Sequence, residues 1–309
     1  MNIVFFGNAD FGIPTLDSIV SSKEHSLVSV VTNIDKKSGR GKYINSTPIK
    51  RWGIDNEVDV LGVDNLDSHE FIESLKKIEA DLFVVIAYRI LPDKIFSIPK
   101  YGTMNLHASL LPKYRGAAPI QRAILNGESL TGTTTFIIND KVDKGKIILQ
   151  EQSSISENDN YSSLYTKLSK SGSNLVLRSI EFLNSGKALK EQQEKTIYAK
   201  KIHKSELKIN WDQDAFNIIN KIRAFSFTPG AYTTLSNKRV KILEAEVSDV
   251  SLDSLEYGTL RILNNELYVK TRNSTIKINL LKPEGKQVLR ANDFINGYLS
   301  TNENILRFE

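Results

Sequence analysis

The sequence predicts an α/β protein: an N-terminal Rossmann-like domain, in which a mostly parallel sheet carries helices on both faces, and a small OB-like β-barrel at the C-terminus. Three observations indicate this fold class. Over the first 150 residues, short apolar segments alternate with segments of helical spacing, which is typical of parallel strands buried on both faces. Near residue 186 the composition becomes polar and lysine-rich. Beyond it, short strand-like segments separated by turn residues indicate a barrel.

The first strand is predicted over residues 3–6, and it ends in a turn that starts at Gly7. The helix that follows begins near Pro14, because proline fits the first turn of a helix. Ligands of such sheets bind beyond the carboxyl ends of the strands, so the residues after each strand are candidates for a site. The other elements predicted in this half are strands over residues 27–31, 81–87 and 133–138 and helices over residues 71–78 and 161–183.

The second half of the chain begins with a polar segment that we interpret as a linker, residues 186–204. The expected domains are therefore residues 1–185, with the site, and residues 205–309, with the barrel. A helix is predicted over residues 215–225, and it ends before Pro229 and Gly230. The strands expected in the barrel cover residues 232–235, 240–243, 260–263, 267–271 and 276–281.

Composition limits the chemistry. The 309 residues include no cysteine and only four scattered histidines, so disulfides, thiolate-bound metals and a cysteine nucleophile are excluded, and we expect no metal site. No apolar run reaches the roughly 20 residues of a membrane-spanning helix. The N-terminus lacks the layout of a signal peptide. We therefore expect a cytoplasmic protein without membrane association.

The formal net charge of +5 is unevenly distributed. Residues 35–42 form a basic, glycine-containing loop, and residues 195–208 hold five lysines and one acid. Such runs are usually solvated surface, but they also fit a polyanionic partner.

The most informative residues are Asn105 and His107. Alternation along an extended segment places them on one face, where an amide and an imidazole can both donate hydrogen bonds to a developing oxyanion. Asp143 follows the strand predicted over residues 133–138, and we expect it at the carboxyl edge of the sheet as the acid of the site. Taken singly, each residue also fits a turn or a surface role.

Residues 105–112 and Gly116 resemble the signature of the formyltetrahydrofolate-dependent formyltransferases. The chain departs from that family at Asn8, at a shortened turn over residues 87–89, and at Asn139 and Lys141. The segments 7–16, 38–42, 47–50, 87–88, 90–92, 115–124, 198–202, 209–211 and 222–225 resemble, more specifically, the members that formylate methionyl-tRNA.

This resemblance implies transfer of the formyl group of 10-formyltetrahydrofolate to the amine of methionyl initiator tRNA, without a metal or an obligate protein partner. It assigns catalysis to Asn105, His107 and Asp143. It assigns tRNA contacts to Arg40 and Lys42. The residues that it assigns to the folate site are Ser109, Leu110, Leu111 and Pro112.

The resemblance leaves a related enzyme as the alternative, a formyltransferase that acts on an amino sugar nucleotide. Such an enzyme shares the three catalytic residues and can carry a similar barrel. Residues 38–42 and 115–124 favour the tRNA enzyme over it. A glycinamide ribonucleotide formyltransferase fits less well because it lacks the second domain, and a non-catalytic RNA-binding protein leaves the three residues unexplained.

Overall fold

The computed structural model of the protein describes residues 1–38, 43–194, 196–299 and 306–309. The chain divides into two compact units. The first comprises residues 1–119, 130–154 and 165–199, and the second comprises residues 120–129, 155–164 and 200–309. Of the segment predicted as a linker, residues 186–199 group with the first unit and residues 200–204 with the second.

Strands and helices alternate through the N-terminal part of the chain. The elements up to residue 184 are, in chain order, β1 (Asn2–Gly7), α1 (Ile13–Ser21), β2 (Ser26–Asn33), β3 (Lys36–Ser38), β4 (Tyr43–Asn45), α2 (Pro48–Asp55), β5 (Asp59–Val63), α3 (His69–Lys77), β6 (Leu82–Ile86), α4 (Asp93–Phe96), β7 (Thr103–His107), α5 (Pro119–Leu125), β8 (Leu130–Ile137), β9 (Ile147–Ser154) and α6 (Tyr161–Asn184).

The main sheet has seven strands in the order β5-β2-β1-β6-β7-β8-β9. The five strands from β5 to β7 in this order are parallel. The last two, β8 and β9, are antiparallel additions at one edge. Strand order reverses direction between β1 and β6, and in open α/β sheets ligands bind at the carboxyl edge beside this position.

Both faces of the parallel sheet are covered. Phe6 and Phe83 pack in one buried cluster with Leu75 of α3. Phe5 points the other way, because alternate residues of a strand face opposite sides; the space beside it is filled by the backbone of Gly12, where a Cβ atom would lie 2.6 Å from the Phe5 ring. Burial on both sides accounts for the continuous apolar strands and confirms the predicted fold class for this unit.

The second unit contains an antiparallel sheet of short strands. Its elements are α7 (Ala215–Phe225), β10 (Ala231–Leu235), β11 (Lys238–Ser248), β12 (Leu260–Leu263), β13 (Glu266–Lys270), β14 (Thr275–Pro283), β15 (Leu289–Arg290) and α8 (Ala291–Tyr298). The strand order is β10-β11-β14-β13-β12, with β15 beside β14.

The last four residues join the two ends of this sheet. The Leu260 amide of β12 donates to the Leu306 carbonyl at 2.8 Å, and the Glu309 amide donates to the Thr234 carbonyl of β10 at 2.9 Å. β10 and β12 are the two edge strands in this order, and the last four residues bridge them. An exposed strand edge can pair with another chain, and closing a sheet into a barrel removes such edges.

Arginines attach two short segments to the second unit. Arg122 makes a two-pronged ion pair with Glu206, at 2.6 and 3.0 Å, and this hydrogen bonding lowers the pKa of the Glu206 carboxyl. Arg223 donates to the backbone carbonyls of Ser156 and Asp159 at 2.6 and 2.7 Å. These contacts explain why residues 120–129 and 155–164 group with the C-terminal part of the chain.

Candidate active site

Asn105 and His107 lie on β7, between β6 and β8, and the strand geometry places both side chains on one face. His107 is 7% exposed. Asn105 is partly exposed, and its amide has no hydrogen-bond partner among the described residues. The Asn105 amide is therefore available to a bound molecule.

The His107 ring has a defined orientation. Its Nε2 atom lies 2.8 Å from the carbonyl oxygen of Tyr114. A carbonyl only accepts hydrogen bonds, so Nε2 carries the hydrogen. Nδ1 lies 3.9 Å from Oδ2 of Asp143. The neutral ring consequently presents a lone pair at Nδ1, and only a doubly protonated ring can donate from that atom.

Asp143 reaches His107 by a route that differs from the expectation. We predicted it at the carboxyl edge of the sheet, but β8 runs antiparallel to β7, and its end at Ile137 pairs with Met104 near the start of β7. The loop after β8 nevertheless carries Asp143 to His107. Asp143 adopts a left-handed backbone conformation, with φ of 53°, which asparagine and aspartate tolerate better than most residues.

The Asp143 carboxylate is anchored by the backbone of Gly116. The Gly116 amide donates to Oδ2 of Asp143 at 2.8 Å. Gly116 has a φ of 121°, and a Cβ atom there would lie 2.6 Å from the carbonyl oxygen of Ala199. Both the conformation and the close approach require glycine at this position.

The turn over residues 109–112 is held by a buried hydroxyl that the sequence analysis missed. Thr134 Oγ1 donates to the Ser109 carbonyl at 2.7 Å and accepts from the Leu111 amide at 3.0 Å and from Gln150 Nε2 at 2.9 Å. These bonds use the full capacity of a hydroxyl. The sequence offers three consecutive threonines there but does not single out Thr134; among the described residues, Thr133 Oγ1 is buried without a partner.

The loop after β6 is fastened by Arg89. Its guanidinium donates to the carbonyls of Asp64 and Val63 at 2.6 and 3.0 Å and lies against the Tyr88 ring, 5.3 Å from the centroid. Burial raises the pKa of the Tyr88 hydroxyl. Beyond this anchor Ile90 is 76% exposed, whereas Leu91 is buried.

The predicted site residues fall into three groups. Asn105, His107 and Asp143 lie in one neighbourhood of the first unit, and the turn over residues 109–112 lies directly beyond β7. Arg40 and Lys42 lie outside the described residues.

Among the residues that the structure describes, no group of three or more histidine, aspartate or glutamate side chains is arranged to hold a metal ion. In the same residues, none of the helices is long and apolar enough to cross a membrane.

Comparison with known proteins identifies two family matches. The family described as formyl transferase matches residues 1–180, and the one described as formyl transferase, C-terminal domain, matches residues 201–299. A methionyl-tRNA formyltransferase of Thermodesulfovibrio yellowstonii is 40% identical over 297 residues, covering 96% of this chain and 95% of the relative. One of Fusobacterium nucleatum is 36% identical over 302 residues, covering 96% and 97%.

Solved structures share the fold at lower identity. HypX from Aquifex aeolicus in complex with tetrahydrofolic acid superposes with a TM-score of 0.65 at 16% identity; the match covers 97% of this chain but only 47% of HypX. The sugar 3N-formyl transferase WlaRD superposes with a TM-score of 0.64 at 20% identity, over 93% of this chain and 99% of that one. At these identities the likeness extends to the fold alone.

Proposed function

This chain belongs to the formyl transferase family, among the methionyl-tRNA formyltransferases, and from that premise we propose that it transfers the formyl group of 10-formyltetrahydrofolate to the α-amine of methionyl initiator tRNA. The observation that carries the proposal is the approach of His107 Nδ1 to Asp143 Oδ2, 3.9 Å apart, on the strand whose Asn105 amide has no partner among the described residues. The reaction takes place in the cytoplasm.

Asn105 acts on the oxyanion. The methionyl amine attacks the formyl carbon, a new C–N bond forms, and the carbonyl oxygen becomes negatively charged. The Asn105 amide donates a hydrogen bond to that oxygen as the charge develops. Its partial exposure and its lack of a partner among the described residues support this role, because a preorganised donor needs no rearrangement during the reaction.

His107 and Asp143 act as a pair. Since Nε2 is committed to the Tyr114 carbonyl, His107 contributes a hydrogen bond to the oxyanion only from a protonated Nδ1. In this proposal the Asp143 carboxylate, with Oδ2 3.9 Å from Nδ1, orients the His107 ring. As the alternative, Asp143 accepts the amine proton, directly or through water. The oxyanion then collapses, the bond between the formyl carbon and the folate nitrogen breaks, and the proton is delivered to that nitrogen.

The folate co-substrate binds at the turn formed by Ser109, Leu110, Leu111 and Pro112. Binding of the folate depends on the shape of this turn. Hydrogen bonds of Thr134 and Gln150 hold that shape without a ligand. A turn that is rigid before binding lowers the entropic cost of binding.

Replacing Thr134 with valine tests this role of the turn. The change keeps the shape but leaves the Leu111 amide without an acceptor and Gln150 Nε2 with only the Leu111 carbonyl. Each unsatisfied buried donor costs about 1–3 kcal/mol. We expect the KM for 10-formyltetrahydrofolate to rise about tenfold, with little change in the KM for tRNA, and Thr134→Ser to restore it. Equal folate KM values for the valine and serine variants would contradict the assignment.

Arg40 and Lys42 contact the acceptor end of the tRNA. This part of the proposal rests on the resemblance alone, since both residues lie outside the described part of the chain. Lys200, Lys201 and Lys204 add weaker contacts to the phosphate backbone, which makes affinity fall as salt rises.

We expect Arg40→Ala to raise the KM for tRNA about tenfold and to leave tetrahydrofolate binding unchanged. Lys23→Ala is the matched control, since it removes one positive charge from an exposed position. The assignment fails if both variants show the same KM for tRNA.

The decisive experiment compares acceptors. Purified protein is incubated with 10-formyltetrahydrofolate and either methionyl initiator tRNA or a dTDP-linked amino sugar, and formylated product is quantified. Transfer to the tRNA only is the expected result. Transfer to the sugar nucleotide only would replace our proposal with the alternative, which the shared fold of the sugar formyltransferases leaves open.

A further inference from the structure

A segment between the two family matches contacts the two loops of the proposed site that follow β7 and β8. We name residues 190–194 and 196–199 the strap; residues 181–200 fall between the ranges matched by the two families. Its contacts within the first unit include Lys190 with Ile147, Thr196 Oγ1 with the Pro112 carbonyl, Ile197 with the Tyr114 amide, and Ala199 with the Arg115 carbonyl.

One strap side chain, Gln192, forms four hydrogen bonds. Its Oε1 accepts from Nε and Nη2 of Arg115 at 3.2 and 2.7 Å. Its Nε2 donates to the carbonyls of Asp143 and Gly145 at 3.2 and 2.7 Å. A glutamine amide has two acceptor and two donor sites, so Gln192 is fully satisfied and its orientation is fixed.

The hydrogen bonds of Gln192 and its partner Arg115 form a ring of contacts around Asp143. Gln192 binds the backbone carbonyl of Asp143, and through Arg115 it binds the residue next to Gly116, whose amide holds the Asp143 carboxylate. The backbone and the carboxylate of Asp143 are therefore fixed from two sides.

Arg115 depends on this ring. Its guanidinium is 2% exposed, and its described partners are the neutral acceptors Gln192 Oε1 and the Gln193 carbonyl. Its Nη1 atom is buried without a described partner. Since a buried cation is costly without hydrogen-bond acceptors, loss of Gln192 displaces Arg115 and, with it, the backbone that anchors Asp143.

We propose that Gln192 is a positioning residue that acts through Asp143: it sets the carboxylate against His107 and thereby determines the rate of formyl transfer rather than the affinity for either substrate. This inference rests on the proposed function. A side chain that served only to stabilise the loops would change the unfolding temperature and leave kcat unchanged.

The test uses steady-state formylation of methionyl initiator tRNA by the full chain, with unfolding temperatures measured in parallel. For Gln192→Ala we expect kcat to fall roughly 10- to 100-fold, since a displacement of about 1 Å at a reacting group can cost on the order of 100-fold, with both KM values within about twofold of wild type. Gln193→Ala is the matched control: the side chain is exposed, and the backbone carbonyl that Arg115 uses is retained.

A second variant keeps the proposal testable if Gln192→Ala does not fold. Gln192→Glu keeps the acceptor for Arg115 but turns a carboxylate oxygen, instead of an amide donor, toward the carbonyls of Asp143 and Gly145. We expect it to fold and to show a similar fall in kcat. Wild-type kcat in Gln192→Glu, or in a folded Gln192→Ala, overturns the proposal.

Coupling to Asp143 separates positioning from an independent effect. In an Asp143→Asn background, Gln192→Ala should cause less than a twofold further loss of kcat, whereas multiplied losses overturn the proposal. The two hypotheses also fail separately. If the wild type formylates no tRNA or Asp143→Asn is fully active, the proposed function fails; if Asp143→Asn is impaired while both Gln192 variants keep the wild-type kcat, only the role of Gln192 fails.

Discussion

Replacing Asn105 with alanine is expected to lower kcat about 100- to 1,000-fold while leaving the KM for 10-formyltetrahydrofolate nearly unchanged. Removal of one oxyanion donor has this effect because the hydrogen bond strengthens as charge develops in the transition state. Asn105 lies on a central strand, where β6 and β8 pair with it on both sides, so the loss of its side chain leaves the backbone in place. The measurement is single-turnover transfer to methionyl initiator tRNA.

Asn105→Asp sharpens the test. The aspartate keeps the shape but presents oxygens, so it offers no donor when ionised and repels the oxyanion. We expect at least as large a loss as for alanine. Asn184→Ala is the control at an exposed position at the end of α6. Wild-type rates in Asn105→Asp would contradict the role of an oxyanion donor, because a group that only fills space tolerates that change.

Replacing Asp143 with asparagine should lower kcat by a factor on the order of 10²–10⁴, the usual contribution of a positioned acid or base. The amide oxygen of asparagine can still accept from the Gly116 amide, so the loop keeps its anchor. What disappears is the negative charge 3.9 Å from Nδ1 of His107. The carboxylate that faces the His107 ring is lost, and so is the alternative path for the amine proton.

Asp140→Asn is the matched control for Asp143→Asn. Asp140 belongs to the same loop and is exposed; we expect wild-type kcat. Tetrahydrofolate binding, followed by titration, should be the same in both variants. A fully active Asp143→Asn enzyme would show that neither charge stabilisation nor proton acceptance by this carboxylate limits the reaction.

Local patterns predicted some elements closely and missed others. The spacing of apolar residues predicted α7 with the bounds that the structure has, Ala215–Phe225. It missed α8 and the short strand before it, because an eight-residue helix near the end of the chain has too few turns for a clear period. It also missed the hairpin of β3 and β4, whose strands have three residues each.

In the candidate site, too, the sequence predicted some residues and missed others. Alternation along β7 was sufficient to place Asn105 and His107 on one face, since the side-chain period of a strand is fixed by its backbone. No corresponding pattern pointed to Gln192, because each of its four hydrogen bonds joins it to residues far away in the chain.

By itself, the sequence determined the fold class, the pair on β7 and the family, because periodicity and contiguous motifs are local properties that survive without coordinates. The tertiary structure decided how Asp143 reaches His107, how the barrel closes and what holds the site in place. Those contacts depend on the path of the chain: β8 turns antiparallel, the last four residues bridge β12 and β10, and the strap contacts the loops after β7 and β8. No local pattern encodes the direction of a strand at the edge of a sheet, since both directions bury the same face.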